Sequence, residues 1–277
     1  SWNRAQLNIQ LKLFEFIKII CFLMTSLAII CPVYNDWLSF ERLVGIIDSQ
    51  EFAKEISTTI YIVDDASTER GMSLPIVQNI KSVELITMAF NVGHQRAIVS
   101  GLCEAYSTNK HDFYIVADSD GEDAPQDFAK LISAHKLSRE SIIVAQRAQR
   151  SEGFKFRALY VIYKKLFQWL TGMSINFGNF MLIPHQQMSR LIHLPQAWNH
   201  LAGAVLKSKI HIHRIPVDRS RRLLGVSKMN TTALVIHGLS AISVFIDITL
   251  VRILMVLSLI GAFTFALSAV VIIIRFM

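Results

Sequence analysis

The sequence predicts an α/β fold: a mostly parallel sheet covered by helices on both faces, followed by a membrane-associated C-terminal region. Short apolar runs alternate with helical patterns through residues 27–117, and strands that alternate with helices at this spacing are typical of parallel sheets. A long uncharged apolar run then lies close to the C-terminus, at residues 253–274. The first observation predicts the fold class, and the second predicts attachment of the protein to a membrane.

The elements of the predicted sheet follow one another through the first half of the chain. β-branched and other apolar residues mark the strands, and apolar residues at a period near 3.6 mark the helices. Strands are predicted at Leu27–Cys31, Thr59–Val63, Val83–Met88 and Phe113–Ala117, and helices at Phe40–Ile47, Leu74–Ile80 and Arg96–Tyr106.

Composition indicates a membrane segment. The chain has 277 residues, of which 52% are hydrophobic, which is more apolar than an ordinary soluble domain. A helix over 253–274 would be about 33 Å long at ~1.5 Å per residue, and this length matches a bilayer core. We therefore predict a transmembrane helix at 253–275. Residues 230–252 are apolar but carry His237 and Asp247, so they are predicted to lie in the membrane interface, with a further transmembrane helix as the alternative.

Residues 24–229 are predicted to form the folded domain, and residues 1–23 an amphipathic or non-native extension. Within the domain, Phe154–Leu170 mixes basic and large apolar residues. This pattern predicts an amphipathic helix that lies either against the membrane or on the sheet. We expect the chain to end before a second membrane span.

Charge is divided between two halves of the chain. Residues 25–135 contain 7 Lys and Arg against 16 Asp and Glu, whereas residues 136–228 contain 16 against 3. The acidic half suits a cation, and the basic half suits anions such as lipid phosphates. We expect membrane lipids and no nucleic acid as partners of the basic half, and the positive-inside tendency places the domain on the cytoplasmic side.

Polar side chains follow four of the predicted strands. Ligands bind at the carboxyl ends of strands in such sheets. The four clusters are Tyr34-Asn35-Asp36, Asp64-Asp65-Ala66-Ser67, Asn91-Val92-Gly93-His94 and Asp118-Ser119-Asp120. Carboxylates at alternate positions can hold a divalent cation against a diphosphate, and Asn91 with Gly93 allows the backbone close to a ribose or phosphate. The alternative is a set of solvated or helix-capping turns.

In order, these motifs resemble those of inverting family 2 glycosyltransferases with the Rossmann-like GT-A fold. Downstream segments resemble the branch that acts on polyprenyl phosphates, which includes dolichol-phosphate mannose synthases. The segments that carry the resemblance are Pro32–Asp36, Ile62–Thr68, Asn91–Ala97, Asp118–Asp120, Ala145–Arg147, Asn179–Ile183 and Arg222–Lys228.

The resemblance implies roles for individual residues. Pro32, Tyr34 and Asp65 would line the nucleoside pocket, with Asp36 in the same nucleotide-sugar site. Asp118 would lie near the ribose and diphosphate. The residues implied around a Mg²⁺ or Mn²⁺ ion are Asp118, Asp120 and Glu122. The family usually has Leu-Gln where this chain has Gly121-Glu122, so Glu122 would be an added carboxylate.

The nature of the acceptor can be argued from charge. A sugar hydroxyl needs a general base, whereas a phosphate monoester, with a second pKa of about 6, is already ionised and needs cations to hold it. Arg147 and Arg222 are the predicted acceptor-phosphate residues, and Arg157 is added by the resemblance. Ser227 and Lys228 follow the flexible Gly225 and would close over the donor diphosphate. The alternative for residues 219–222 is a polybasic membrane-surface patch.

The sequence therefore predicts a membrane-anchored, metal-dependent enzyme that moves a sugar from a UDP- or GDP-sugar to undecaprenyl or dolichyl phosphate with inversion. Asp120, Arg147, Arg222 and Lys228 are the predicted catalytic residues. One alternative is a glycosyltransferase that acts on a saccharide hydroxyl in cell-surface polysaccharide synthesis. Another is a catalytically silent nucleotide-binding scaffold at the membrane. A homo-oligomer is compatible with each of these functions.

Overall fold

The computed structural model describes residues 25–69, 74–147, 154–218, 220–225 and 231–276. The predicted extension at 1–23 lies outside them. The strands are β1 Ser26–Val33, β2 Ser57–Asp64, β3 Ser82–Thr87, β4 Phe113–Val116, β5 Ile142–Arg147, β6 Met181–Pro184 and β7 Ile212–Val217. The helices are α1 Trp37–Asp48, α2 Glu51–Glu55, α3 His94–Ser107, α4 Pro125–Leu137, α5 Phe154–Thr171, α6 His185–Ile192, α7 Leu201–Lys207, α8 Thr231–Ser243 and α9 Ile246–Phe276, with a 3₁₀ turn at Pro195–Trp198.

The strands form one sheet of seven in the order β3-β2-β1-β4-β6-β5-β7. β1 pairs in parallel with β2 and β4, and β2 pairs in parallel with β3. β6 is antiparallel to β4 and β5, while β5 and β7 are parallel. The predicted α/β fold class is therefore confirmed, and the four predicted strands correspond to β1 to β4.

Side chains of β1 alternate between the two faces of the sheet, as the period of a strand requires. On one face, Leu27, Ile29 and Cys31 join a core that includes Phe40 of α1 and Phe128 of α4. On the other face, α3 packs very closely. A Cβ added to Gly101 would lie 2.6 Å from Val63 Cγ2 and 2.8 Å from Ile30 Cγ2, so this contact requires glycine.

The helix predicted at Leu74–Ile80 is wrong. Residues 74–77 have no regular secondary structure, and residues 78–80 form a bend. The carboxylate of Asp48 accepts hydrogen bonds from the amides of Gln78 (3.0 Å), Asn79 (2.8 Å) and Ile80 (2.8 Å). A side chain 30 residues away thus satisfies the amides that a helix would have used, and this contact cannot be seen in a local pattern.

The described residues divide into two compact units. The first contains the sheet and its helices, up to residue 147 and from 176 to 225; the second contains α5, α8 and α9. The predicted domain boundaries differ from this division because α5 joins the second unit and because α9 runs without a break through Arg252. The amphipathic helix predicted at Phe154–Leu170 corresponds to α5.

Within the second unit, α5 packs against the two C-terminal helices. Tyr163 Oη donates to the carbonyl of Gly238 (3.2 Å), and Arg252 Nη1 donates to the carbonyl of Trp169 (2.6 Å). Among the described residues, only α9 is long and apolar enough to cross a membrane, with 31 residues and a mean hydropathy of 2.6 over an 18-residue stretch. The sequence prediction of a C-terminal apolar helix is confirmed.

Candidate nucleotide-sugar site

The carboxyl ends of β1, β2 and β4 lie side by side, since these strands are parallel neighbours. The loops that follow them carry three of the four predicted polar clusters. The fourth, at 91–94, leads into α3. The edge of the sheet therefore collects the acidic residues that the sequence places at separate points.

The loops after β1 and β2 are tied together by Asn35. Its backbone amide donates to Ser67 Oγ (2.9 Å), and its side-chain Oδ1 accepts from the amides of Thr68 (2.8 Å) and Glu69 (3.0 Å). Asn35 has a positive φ of 51°, which asparagine tolerates better than most residues. This structural role was missed in the sequence, where Asn35 is only one polar residue in a cluster.

Asp65 is buried, with 3% of its surface exposed, and it fixes the third loop. Its carboxylate accepts from the amides of Val92 (2.7 Å) and Gly93 (3.0 Å), while Asn91 Nδ2 donates to the Asp65 carbonyl (3.2 Å). Gly93 has φ +87°, a conformation that L side chains rarely adopt. Asp65 thus holds the entry to α3 in place. Its predicted contact with a nucleobase stays a prediction.

The acidic loop after β4 is held by its own carboxylates. Asp123 Oδ2 accepts from the amide of Asp118 (3.1 Å), and Asp120 Oδ1 accepts from the amide of Glu122 (2.9 Å). Between them, Gly121 has φ +76°. The loop therefore turns back on itself and leaves the second oxygen of Asp120 to meet other groups.

Residues 220–225 lie directly on this acidic loop. The amide of Ser220 donates to the carbonyl of Glu122 (3.1 Å), and the amide of Leu223 donates to the carbonyl of Asp120 (2.9 Å). Leu223 fills the space above Gly121: a Cβ added there would lie 2.4 Å from Leu223 Cγ. Glycine at 121 thus has a physical reason, since a side chain there would displace Leu223.

Arg222 joins two acidic loops. Its Nη1 donates to Asp120 Oδ2 (2.9 Å), its Nη2 pairs with Asp36 Oδ2, and its Nε donates to the carbonyl of Leu224 (2.9 Å). Only 17% of the Arg222 side chain is exposed. Arg222 was predicted to hold an acceptor phosphate, and here carboxylates surround it instead; the acceptor role stays a prediction.

Electrostatics at this edge reflect crowded carboxylates. Burial raises the pKa of Asp120 to about 6, and the charge of Asp118 adds to this rise, against the lowering effect of Arg222. His94 Nε2 lies 3.3 Å from Asp118 Oδ1. Although desolvation lowers the pKa of His94, the charges of Asp118, Asp120 and Asp123 raise it above its ordinary value. Negative charge is concentrated here, so the edge favours cations.

A small cleft opens beside Asp118. It is lined by Asp118, Asp123, Ala145, Gly178, Asn179, Phe180 and Val217. Asn179 Nδ2 lies 3.3 Å from His94 Nε2, which brings the loop before β6 to the start of α3. Sequence reasoning used Asn179 only as part of a motif, and the cleft assigns it a position beside the acidic loop.

The structure tells less about the other predicted site residues. Tyr34 is 46% exposed at the sheet edge, and Pro32 is buried inside β1 opposite Val63. Arg147 is the last residue of β5 and Arg157 lies in α5, but their side chains are outside the described part. Ser227 and Lys228 lie outside the described residues altogether. Their predicted roles stay predictions.

The fit of a divalent cation depends on the groups around Asp120. The Asp36 and Asp120 carboxylates already share one cationic group, the Arg222 guanidinium, so the position suits positive charge. Within the described residues no three His, Cys, Asp or Glu side chains are grouped to hold a metal ion. Carboxylate oxygens such as those of Asp118 and Asp120 are ligands that Mg²⁺ and Mn²⁺ prefer, and a bound diphosphate would have to supply the remaining ligands. Ligation by Asp118, Asp120 and Glu122 stays a prediction.

The mostly parallel sheet, with carboxylates at its carboxyl edge, is an α/β fold of the GT-A type. Two solved structures with this fold are those of glucosyl-3-phosphoglycerate synthase from Mycobacterium tuberculosis. One, with Mn²⁺, UDP and phosphoglyceric acid, gives a TM-score of 0.55 at 10% identity over 81% of this chain and 78% of that chain. The other, with Mn²⁺, UDP-glucose and phosphoglyceric acid, gives 0.54 at 11% identity over 81% and 80%.

The family follows from the sequence itself. The model of Glycosyl transferase family 2 matches residues 28–205, and the chain belongs to that family. A curated relative, named Uncharacterized glycosyltransferase YkoT, of Bacillus subtilis (strain 168), is 26% identical over 254 residues, which cover 88% of this chain and 73% of YkoT. A crystal structure of S. aureus TarS 1–349 gives a TM-score of 0.41 at 13% identity. The match covers 69% of this chain and 58% of the TarS chain. The protein is a glycosyltransferase.

Proposed function

We propose that this glycosyltransferase transfers a sugar from a nucleotide-diphosphate sugar to a polyprenyl phosphate, with inversion, at a membrane. Contact between the acidic loop at 118–123 and the basic segment at 220–225 carries the proposal. These segments come from halves of opposite charge, and the transfer of a sugar from one phosphate to another needs both charges at one place.

On the donor side, the proposal uses the carboxyl edge of the sheet. Asp65 holds the loop at 91–93, which leads into the N-terminus of α3, and the first amides of a helix suit a phosphate. Asp118 and Asp120 would hold Mg²⁺ or Mn²⁺, which when bound neutralises the diphosphate leaving group. Two M. tuberculosis synthase structures with this fold contain Mn²⁺ and a uridine nucleotide, which supports a UDP-type donor.

On the acceptor side, the proposal uses arginine. The guanidinium of Arg222 lies 2.9 Å from Asp120, so a phosphate that replaced its carboxylate partners would be next to the donor diphosphate. A phosphate oxygen attacks the sugar carbon without the help of a base because it is already ionised near neutral pH. The apolar helix α9 supplies an anchor that keeps the enzyme at the surface where a lipid phosphate lies. We place the domain on the cytoplasmic side.

The test is the fate of labelled sugar. Membranes that contain the protein are incubated with labelled UDP- and GDP-sugars with and without Mn²⁺, and products are separated into lipid and polymer fractions. We expect metal-dependent label in a lipid that releases its sugar under mild acid, as sugar phosphates do. Label found only in polymer would replace the phosphate acceptor with a saccharide hydroxyl, and absence of label with every donor would favour the silent scaffold.

A further inference from the structure

The acidic site already contains a cation that belongs to the protein. The Arg222 guanidinium contacts Asp120 through Nη1 and Asp36 through Nη2, and its remaining nitrogen, Nε, donates to the carbonyl of Leu224. The side chains of Asp36 and Asp120 are 20% and 16% exposed. Charges that are mostly removed from water need a partner, and here Arg222 supplies it.

The Asp36 side chain contacts Arg222 and does not cap the backbone of α1. It precedes α1 at the N-cap position, where aspartate usually accepts a hydrogen bond from the helix backbone, yet its side chain caps no amide. Instead, Asp36 Oδ1 accepts from Ser39 Oγ (2.6 Å). This hydrogen bond presents the other oxygen to Arg222.

The segment that carries Arg222 is fixed by contacts that do not involve charge. Two backbone hydrogen bonds join Ser220 and Leu223 to the acidic loop, and Leu223 occupies the space that Gly121 leaves open. Gly121 and Leu223 therefore determine where the guanidinium stands. Arg221, the neighbour with the same charge, is exposed.

From these contacts we infer that Arg222 is an internal counter-ion of the cation site, which exchanges with the divalent cation when the nucleotide donor binds. The inference rests on the proposed function and adds an order of events. Asp120 gives up Arg222 to accept the metal, and the released guanidinium is then available to the phosphate of the acceptor. Arg222 is thus a positioning residue before it touches any substrate.

Competition between two cations has a measurable consequence. Binding of the metal to the wild-type protein must break the contacts of Arg222, so removal of the guanidinium should strengthen metal binding. Exposed ion pairs correspond to a change of up to about fivefold in affinity, and this pair is less exposed, so its loss should change affinity by roughly three- to tenfold. A residue that only orients the carboxylates would have the opposite effect, since its loss would weaken metal binding.

The experiment measures Mn²⁺ affinity directly, by electron paramagnetic resonance of free Mn²⁺, on the full chain in detergent micelles. Arg222→Gln is compared with the wild type and with Arg221→Gln, which removes the same charge from the adjacent exposed position. We expect Arg222→Gln to bind Mn²⁺ roughly three- to tenfold more tightly, and Arg221→Gln to change affinity by less than about twofold.

A second variant tests whether the segment holds the guanidinium in place. Leu223→Ala should also tighten Mn²⁺ binding, by a smaller factor than Arg222→Gln, because Arg222 is then less firmly placed. Unchanged or weaker Mn²⁺ binding by Arg222→Gln, with a wild type that binds Mn²⁺, overturns the counter-ion role and leaves the proposed reaction standing. A wild type that binds no Mn²⁺ with or without UDP overturns the counter-ion role and the proposed metal requirement together.

Discussion

His94 and His111 lie at opposite ends of α3 and have opposite pKa shifts. His94 begins the helix and lies 3.3 Å from Asp118, and nearby carboxylates raise its pKa. His111 follows the helix and is buried between Ser26 Oγ and Tyr61 Oη, each 3.0 Å from a ring nitrogen. Burial lowers the pKa of His111 to about 4, and the nearby lysines Lys81 and Lys110 add to this effect.

The difference between the surroundings of His94 and His111 separates a binding region from a structural one. Around His111, aromatic and hydroxyl groups contact each other: Tyr114 Oη lies 3.0 Å from His185 Nδ1, and Tyr106 packs on His185 with ring centroids 5.0 Å apart. Around His94, charges of one sign are crowded and need partners from elsewhere. The charged end of α3 is therefore suited to binding, and the neutral end to stability.

The largest effect is expected at Asp120. Asp120→Asn keeps an oxygen for the amide of Glu122 but removes the charge, so we expect glycosyl transfer to fall at least about 100-fold with an unchanged melting temperature. Turnover is followed by labelled sugar in the lipid fraction. Glu122→Gln serves as the matched control and should lose much less. Equal losses in both variants would make Glu122 as necessary as Asp120, and an Asp120→Asn protein that kept its activity would move the cation away from Asp120.

The packing of α3, on which both ends depend, is tested at Gly101. Gly101→Ala places a methyl group against Val63 and Ile30, and overpacking of this kind costs about 1–3 kcal/mol. Gly45→Ala is the matched control in α1, where a Cβ meets nothing within 4 Å; it should be neutral or stabilising. Chemical unfolding in detergent measures both, and a stable Gly101→Ala protein would contradict the close packing of α3.

The burial of His111 should make the free energy of unfolding depend on pH. Because the pKa of His111 is about 4 in the fold and about 6.5 unfolded, the unfolded chain binds more protons between these values. His111 therefore contributes stability above pH 6.5 that is lost as the pH falls towards 4, up to about 2 kcal/mol after screening. Unfolding curves of wild type and His111→Gln should converge at low pH.

The matched control for that measurement is His213→Gln, since His213 is exposed in β7. Its unfolding curves should follow those of the wild type across the whole pH range. If wild type and His111→Gln differed by the same amount at pH 7 and pH 4, His111 would not be the titrating group.

The smallest effect is expected at His94. His94→Gln removes a partner of Asp118 that is 46% exposed, and exposed pairs contribute little. We expect affinity for UDP in the presence of Mn²⁺ to fall by about threefold, measured by calorimetry. A loss as large as that of Asp120→Asn would assign His94 to the catalytic machinery instead.

Much of the first half of the sheet could be predicted because local patterns specify it. The apolar runs of β1, β2 and β4 are buried on both faces, and polar residues lie at or just after the end of each strand. The sequence also located the acidic loop, since its four carboxylates lie within six consecutive residues, 118–123.

What could not be predicted depends on distant contacts. Arg222 meets Asp120 and Asp36 across 102 and 186 residues, and no local pattern records such a pair. The helix expected at 74–80 is absent for the same reason, because distant Asp48 binds the amides at 78–80. Only the fold reveals the two amides that Asp65 holds, and its predicted contact with a nucleobase stays a prediction.

The contact between Gly121 and Leu223 has a consequence for the evolution of the protein. Any side chain at 121 would overlap Leu223, so relatives with a larger residue at 121 must place the counterpart of Leu223 elsewhere. The two positions should therefore covary among homologues, with glycine at 121 accompanied by a large apolar residue at 223. An alignment of relatives would thus distinguish proteins that share this arrangement of the basic segment from those that do not.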